Sequence, residues 1–388
     1  MKFSLATAAA VLLSTAPAAL AQDVNTTAYA TGLLAALNAN GLTALSGLAA
    51  KINTKLLPAL AANIGRNLTV LAPSNAAIAA LGNNLSDDDI FNVITYHILN
   101  GTFNNNQSDA VVIAPTALTA SSLVSLPAGR PQVVVLAKFE NGTTYVKEPL
   151  NNLTFVQSAI NGVQYQNLLV RPVNQVLTVP GNLTSLATKA GLTQLAQLLT
   201  TASLLQPLEN AKTGLTIFAP TNAAIEAIQS TASTSPPRAF CSPLRTPRPL
   251  QALLSQHVLN GSVVYSNAIG DSAVNAAGQT LSFTKNNTGV FVKLANTTAK
   301  ITQTNILFRG GVVHTIDQVL VDTATNPTAA NDAFSTAATA GPTPTAGGNN
   351  GSGGNGGNGG SSAAAPGSKV GAGLLALTLV ASGVYVLL

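Results

Sequence analysis

Short apolar runs alternate with polar, turn-forming stretches along this chain, and one stretch of the pattern occurs twice. Leu68-Thr-Val-Leu-Ala-Pro-Ser-Asn-Ala-Ala-Ile-Ala-Ala-Leu81 returns 147 residues later as Leu215-Thr-Ile-Phe-Ala-Pro-Thr-Asn-Ala-Ala-Ile-Glu-Ala-Ile228. The β-branched and apolar start of each copy predicts a buried strand. Pro73 and Pro220 end it, because proline donates no ladder hydrogen bond and holds its predecessor extended. Ser74-Asn75 and Thr221-Asn222 follow, with short side chains that can accept from the free N–H groups of a helix start. Strand, proline corner and capped helix, repeated at a fixed offset, predict a duplicated domain.

The flanking pattern repeats as well. Leu33, Leu34 and Leu37, then Leu42, Leu45, Leu48 and Ile52, recur at helical spacing on either side of Gly41. Leu183, Leu186, Leu192, Leu195, Leu198 and Leu199 do the same around Gly191. Downstream, Ser86 and three aspartates open a helix that places Ile90, Val93, Ile94 and His97 on one face and stops at Asn100-Gly101. Leu250 to Gly261 is its counterpart, and both segments end in His-Ile/Val-Leu-Asn-Gly.

His97 and His257 lie 160 residues apart, so the second copy carries 13 extra residues, within Ser230–Pro249. That segment holds five prolines, three arginines and Cys241, the only cysteine, and reads as a disordered surface loop. Its abrupt change of composition also fits a retained intron, which sequencing of the transcript decides. Each copy then turns strand-rich. Strands are predicted at 132–139, 143–147 and 154–156, and at 280–284, 289–294 and 299–304. Closing strands are predicted at Leu168–Leu177 and Gly311–Leu320. Helices first and antiparallel strands after predict an α+β fold.

Three blocks now stand in order in the second copy: Thr-Ile-Phe-Ala-Pro-Thr-Asn, a helix ending His-Val-Leu-Asn-Gly, and Gly311-Val-Val-His-Thr-Ile-Asp-Gln-Val-Leu320. Together they resemble the fasciclin domain. The first copy shares two blocks, including Tyr96-His97. It departs in the third, where Val170-Arg171-Pro172-Val173-Asn174 replaces Val313-His314-Thr315-Ile316-Asp317. The resemblance implies two tandem modules, 22–179 and 180–323, each a β-sandwich-like wedge with packed helices. The residues carrying it, as fold signature or interaction points, are Pro73, Asn75, Tyr96, His97, Pro220, Asn222, His257, His314 and Asp317. It also implies a surface protein engaged in adhesion or in contacts with matrix or wall, of fungal type by its composition.

The two ends set the expected location. Residues 1–21 read as a secretory signal: Lys2, an apolar stretch, then Ala19-Leu20-Ala21 before a mature start at Gln22. Residues 324–360 read as a flexible stalk rich in Gly, Asn and Thr. Residues 361–388 read as a removable signal for a glycosylphosphatidylinositol anchor, attached at Asn358 or, second, at Ser361. A plain transmembrane tail is the competing reading.

Charge adds little. The 18 basic and 13 acidic residues give +5, but Lys2 and Lys369 leave with the processed ends, and three arginines sit in the 230–249 segment. No basic stripe suggests nucleic acid. Sequons start at Asn25, Asn67, Asn84, Asn100, Asn106, Asn141, Asn152, Asn182, Asn260, Asn286, Asn296 and Asn350, as suits a glycosylated secreted chain.

Candidate chemistry is sparse. With charged residues at 8%, the three histidines stand out. His97 and His257 end equivalent helices on the apolar face, where a buried, hydrogen-bonded structural histidine is the plain reading. A metal between His257 and His314 lacks a third ligand at suitable spacing. No nucleophile motif or phosphate loop occurs. The reading is a non-enzymatic adhesion or wall-interaction protein without cofactor or metal. Its partners would be cell-wall or matrix glycans or surface proteins of another cell, with the membrane reached through the lipid anchor. The alternative is a polysaccharide or small-molecule pocket near His257 and His314; a surface hydrolase comes last.

Overall fold

The repeated strand lies at the centre of each half of the molecule. The computed structural model describes residues 26–339, except 62–65, 83–84, 105–108, 141, 149–151, 155–162, 235–246 and 323. The first module runs α1 (Thr26–Ala39), α2 (Thr43–Lys51), α3 (Asn53–Ala61), β1 (Leu68–Pro73), α4 (Asn75–Ala79), α5 (Asp87–His97), β2 (Ile98–Asn100), β3 (Val111–Pro115), β4 (Val133–Lys138), β5 (Thr144–Lys147), β6 (Asn152–Thr154), β7 (Val163–Tyr165) and β8 (Leu168–Val173). The second runs α6 (Leu183–Lys189), α7 (Thr193–Thr201), α8 (Leu205–Asn210), β9 (Leu215–Pro220), α9 (Asn222–Thr234), α10 (Pro247–Ser255), β10 (Val258–Asn260), β11 (Ser272–Val274), β12 (Thr280–Asn286), β13 (Gly289–Leu294), β14 (Thr297–Phe308) and β15 (Gly311–Ile316), followed by α11 (Pro327–Thr339).

The sheets are mixed, not antiparallel throughout as the sequence suggested. β1 pairs antiparallel with β2 and parallel with β8, from Leu68↔Leu168 to Pro73↔Val173. β9 lies likewise between β10 and parallel β15. First and last strands of a module meet side by side, and the whole module serves as the crossover a parallel pair requires. β1 is covered on both faces, which is why it reads as a continuous apolar run. Leu68 and Ala72 pack with Leu45, Ile52 and Ile94 of the helical layer, while Leu71 packs with Leu99, Val134 and Leu136 between the sheets. Leu215, Ile217 and Phe218 divide the same way between the two core clusters of the second module.

In the first module β3-β4-β5-β6 form a second sheet, whereas in the second module the counterpart strands continue one seven-stranded sheet. Twelve-residue β14 joins the two parts, with register shifts between Ile301 and Gln303 and between Gln303 and Ile306. In each module a residue just past β3 or β11 bonds back to the outer strand of the other part: Ala117 N–H donates to Ile98 O of β2 at 2.8 Å and Ala276 N–H to Val258 O of β10 at 2.7 Å.

Four other expectations need correcting. The helix from Ser86 ends at His97, and Ile98–Asn100 already pairs with β1. The closing strands stop at Val173 and Ile316, because the chain then bends out of the sheet to meet a histidine, as described below. The 230–249 segment is not a loop throughout: α9 runs on to Thr234, since no proline interrupts it before Pro236, and α10 opens on Pro247 at a position where proline suits a helix start. The rest of it, Cys241 included, lies outside the described residues. The expected stalk begins with a helix, α11, docked on the second module: Asn326 N–H donates to Ala277 O at 2.8 Å, and Phe334 packs over Gly261. Residues 340–360 lie outside the described part.

The modules touch through unlike faces. Ile113 of β3 and Val133 and Val135 of β4 pack on Leu307 and Val312 of β14 and β15. Around them Ser125 N–H donates to Arg309 O at 2.7 Å, Gln132 Nε2 to Phe308 O at 3.3 Å, and Lys147 Nζ to Thr304 Oγ1 at 3.2 Å. Val135 pairs with Lys147 as Ser282 pairs with Lys293, so Val133 and Val135 correspond to Thr280 and Ser282 of β12. Those two are exposed. β4 is therefore apolar on both faces and β12 on one only.

Candidate functional site

The histidines at the ends of α5 and α10 make the same clamp in both modules. Leu177 N–H donates to His97 Nε2 at 2.9 Å, so that nitrogen carries the lone pair, and Nδ1–H donates to Val93 O at 2.7 Å. In the second module Leu320 N–H donates to His257 Nε2 at 2.9 Å, and Nδ1 bonds Leu253 O at 2.9 Å. Each ring ties a helix end to the segment leaving the closing strand. Both are fully enclosed, and burial pulls each pKa down to about 4, against a smaller upward effect of the helix carbonyl. Both ring nitrogens are used, so neither imidazole has a lone pair left for a metal.

His314 is held differently. Its Nε2 lies 2.9 Å from Val264 O, and a carbonyl only accepts, so the proton sits on Nε2. Its Nδ1 is buried without a hydrogen-bond partner among the described residues, and the ring stacks on Phe218 with centroids 5.6 Å apart. Burial again lowers the pKa to about 4, helped by Lys147. His257 borders a pocket of about 20 Å³ with Leu195, Ile225, Leu254 and Val319, room for about one water, and His314 is not on its wall. The sequence places a pocket near both histidines; this one takes in His257 alone. Among the described residues no three His, Cys, Asp or Glu side chains cluster as a metal site would need.

The corner residues divide their work in a way the sequence did not suggest. Ser74 and Thr221 cap their own helices, with Oγ accepting from Ala77 N–H at 3.2 Å and Ala224 N–H at 3.3 Å. Asn75 and Asn222 do not. Asn75 Oδ1 accepts from Ala44 N–H at 3.0 Å, and Nδ2 donates to Gly41 O at 2.8 Å. Asn222 repeats this with Gln194 N–H at 3.2 Å and Gly191 O at 2.9 Å. Each asparagine thus caps an upstream helix, α2 or α7; Leu42 and Leu192, at the cap positions of these helices, offer no side-chain acceptor. Pro73 and Pro220 end the parallel ladders, and the next N–H groups, of Ser74 and Thr221, bond Val173 O and Ile316 O at 3.0 Å each.

The remaining candidates are structural too. Tyr96 is buried with its hydroxyl on Val133 O at 3.2 Å, and burial drives its pKa well up, with Glu148 and Tyr265 adding to it. Asp317, exposed, receives Lys300 N–H on Oδ1 at 2.7 Å and closes the β14–β15 pair. Arg171 takes the place of His314 in register, Leu71↔Arg171 against Phe218↔His314, and donates to Phe103 O at 3.0 Å. The acidic run at α5 is accounted for: Ser86 and Asp89 form a capping box, and Asp87 and Asp88 pair with Lys51 and Lys55.

Among the sequon asparagines, Asn67, Asn100, Asn286 and Asn296 are exposed and Asn182 and Asn260 half-buried. Asn152 lies on β6. Asn25, Asn84, Asn106, Asn141 and Asn350 lie outside the described residues, as does Asn358. No helix among the described residues is long and apolar enough to cross a membrane.

The family model for the fasciclin domain matches twice, at residues 39–180 and 190–322. This chain belongs to the fasciclin domain family. A fasciclin-like arabinogalactan protein of Arthroderma benhamiae is 25% identical over 267 residues, 66% of this chain and 58% of the relative. Among solved structures, a FAS1 domain pair from the insect cell adhesion molecule Fasciclin I covers 76% of this chain and 98% of its own, at 16% identity and a TM-score of 0.33. Within this fasciclin pair the sequence missed what the structure brings together at the module junction: Val133, Val135, Lys147, Leu307 and Val312. The signal was present, since Val-Val-Val-Leu-Ala in β4 lacks the polar alternation of Thr-Leu-Ser-Phe-Thr in β12.

Proposed function

We propose that the protein is a non-enzymatic cell-surface adhesion or wall-interaction protein, acting through its two fasciclin modules. The observation that carries this reading is the pair itself: two complete modules, docked on each other, whose conspicuous polar residues serve the fold. The relative's name, a fasciclin-like arabinogalactan protein, supports a cell-wall setting. The mechanism is multivalent, with weak contacts per molecule multiplied across many copies on one surface. The expected partners are wall or matrix glycans or surface proteins of another cell. The secretory signal, the glycosylated stalk and a glycosylphosphatidylinositol anchor at Asn358 complete the reading.

Two experiments test it. Beads coated densely with the secreted chain should cluster or bind wall fragments, while the soluble chain binds weakly; beads that stay dispersed with every wall fraction and cell type overturn the adhesion reading. Phosphatidylinositol-specific phospholipase C should release the native protein from membranes. Retention after treatment, with a control anchored protein released, removes the lipid anchor.

A further inference from the structure

Phe139, directly after β4, is the one large apolar side chain left exposed among the described residues, at 38%. Val135 pairs with Lys147 and Ala137 with Tyr145. Alternate residues of a strand share a face, so Val133, Val135, Ala137, Tyr145 and Lys147 stand on one side of the sheet. The two valines are covered by Leu307 and Val312 of the second module. Tyr145 is half-buried, and Phe139 lies against it, with ring centroids 4.1 Å apart and planes at 31°. The face that docks the modules thus runs on beyond those contacts and ends in an open aromatic pair.

Lys147 stands between the covered valines and the open rings. β14 leaves regular register between Gln303 and Ile306, and there Thr304 Oγ1 accepts from Lys147 Nζ at 3.2 Å. An ammonium has three donors, and no carboxylate pairs with this one among the described residues. Burial lowers its pKa. His314 of the second module feels its charge but is neutral at pH 7, so it brings no counter-charge. The junction therefore presents an aromatic surface and, two residues along β5, about 7 Å away, a half-buried cation without an anion.

We propose that this edge of the junction binds an acidic saccharide, with a uronic acid ring on Phe139 and Tyr145 and its carboxylate on Lys147. A pyranose has a face of C–H groups, which an aromatic quadrupole attracts. The carboxylate projects from the edge of the same ring, so stacking face and charge lie side by side, as the aromatic pair and the ammonium do. A charge-assisted bond gains strength where water is partly excluded. Both modules take part: the first supplies the rings and the cation, and Thr304 of the second holds the cation in place. Ligand sites favour such junctions. The proposal rests on the wall-glycan reading above and names the class of glycan.

The test uses the secreted full chain and a hexamer of galacturonic acid, with its carboxyl-reduced form as the neutral control, read by titration calorimetry and saturation-transfer NMR. The acidic hexamer should bind with a Kd of about 1 mM or tighter, and reducing its carboxyls should weaken binding about tenfold. Phe139→Ala should weaken both forms about fivefold. Lys147→Gln keeps a donor for Thr304; it should bring the acidic hexamer down to the neutral one and leave the neutral one unchanged. If Lys147→Gln does not fold, Phe139→Ala, at an exposed ring, still decides the matter. Equal binding by the parent and the variants overturns the proposal, as does a parent that binds neither hexamer. A concentration-dependent dimer that Phe139→Ala abolishes assigns the face to a second copy and overturns it too. In each of these cases, densely coated beads that still cluster with wall fractions leave the adhesion reading standing; beads that stay dispersed take it down as well.

Discussion

His97 and His257 are the residues on which each module's closure turns. Each joins a helix carbonyl to a buried N–H of the segment leaving the closing strand, so replacing either ring takes the hydrogen-bond partner from the Leu177 or Leu320 N–H. His97→Leu or His257→Leu should cost about 2–4 kcal/mol, read from the midpoint of urea unfolding. The same rings make stability depend on pH. Folded, His97, His257 and His314 are neutral with pKa values of about 4; unfolded, each takes up a proton near 6.5. Between those values the unfolded chain holds more protons. Stability is therefore full above pH 6.5 and falls as pH drops toward 4, by up to about 3 kcal/mol per histidine. Urea titrations from pH 7 to 4 should show this slope, and His257→Leu should flatten it. A flat profile in the parent chain overturns the argument. The burial of these rings was legible in the sequence, since both end an apolar helix face. Their second partners, Leu177 and Leu320, were not, because a segment leaving a strand carries no mark of the ring it will meet.

At the scale of elements, the corner after β1 and β9 does two jobs at once. Asn75→Ala should uncap α2 and Asn222→Ala should uncap α7, each at a cost of about 1–2 kcal/mol by thermal or urea unfolding. Amide exchange should rise at Ala44 or Gln194 respectively, and not first at the helix that follows the asparagine. Exchange rising first in α4 or α9 would return the asparagines to the role the sequence suggested for them. Strand, proline and helix could be read directly; the target of the asparagine could not, because Asn75 and Gly41 are brought together only when the helical layer folds onto the sheet. Helix α11 is a second element that composition hid. Gly278 has φ +76°, and a Cβ there would lie 1.7 Å from Asn326 O. Gly278→Ala should push α11 off the second module, seen as faster exchange across 327–339 with the module core unchanged.

For the whole molecule, the junction decides whether two modules behave as one body. Val133→Thr with Val135→Ser gives the first module the face that the second already wears. Calorimetry of that variant should show two transitions where the parent shows one; a single unshifted transition would mean the contact adds nothing to the fold. The joint also unites one kind of face with a different kind. Contacts of that sort do not close on themselves, and in a repeating polymer they add links without end. Growth is stopped at both open ends here. The second module offers Thr280 and Ser282 where an incoming link would need valines. The first offers exposed Gln164, paired with Leu169, where the second uses Leu307 against Val312. A few hydroxyl and amide groups thus act as chain terminators, and the molecule can be concentrated without its modules threading into filaments.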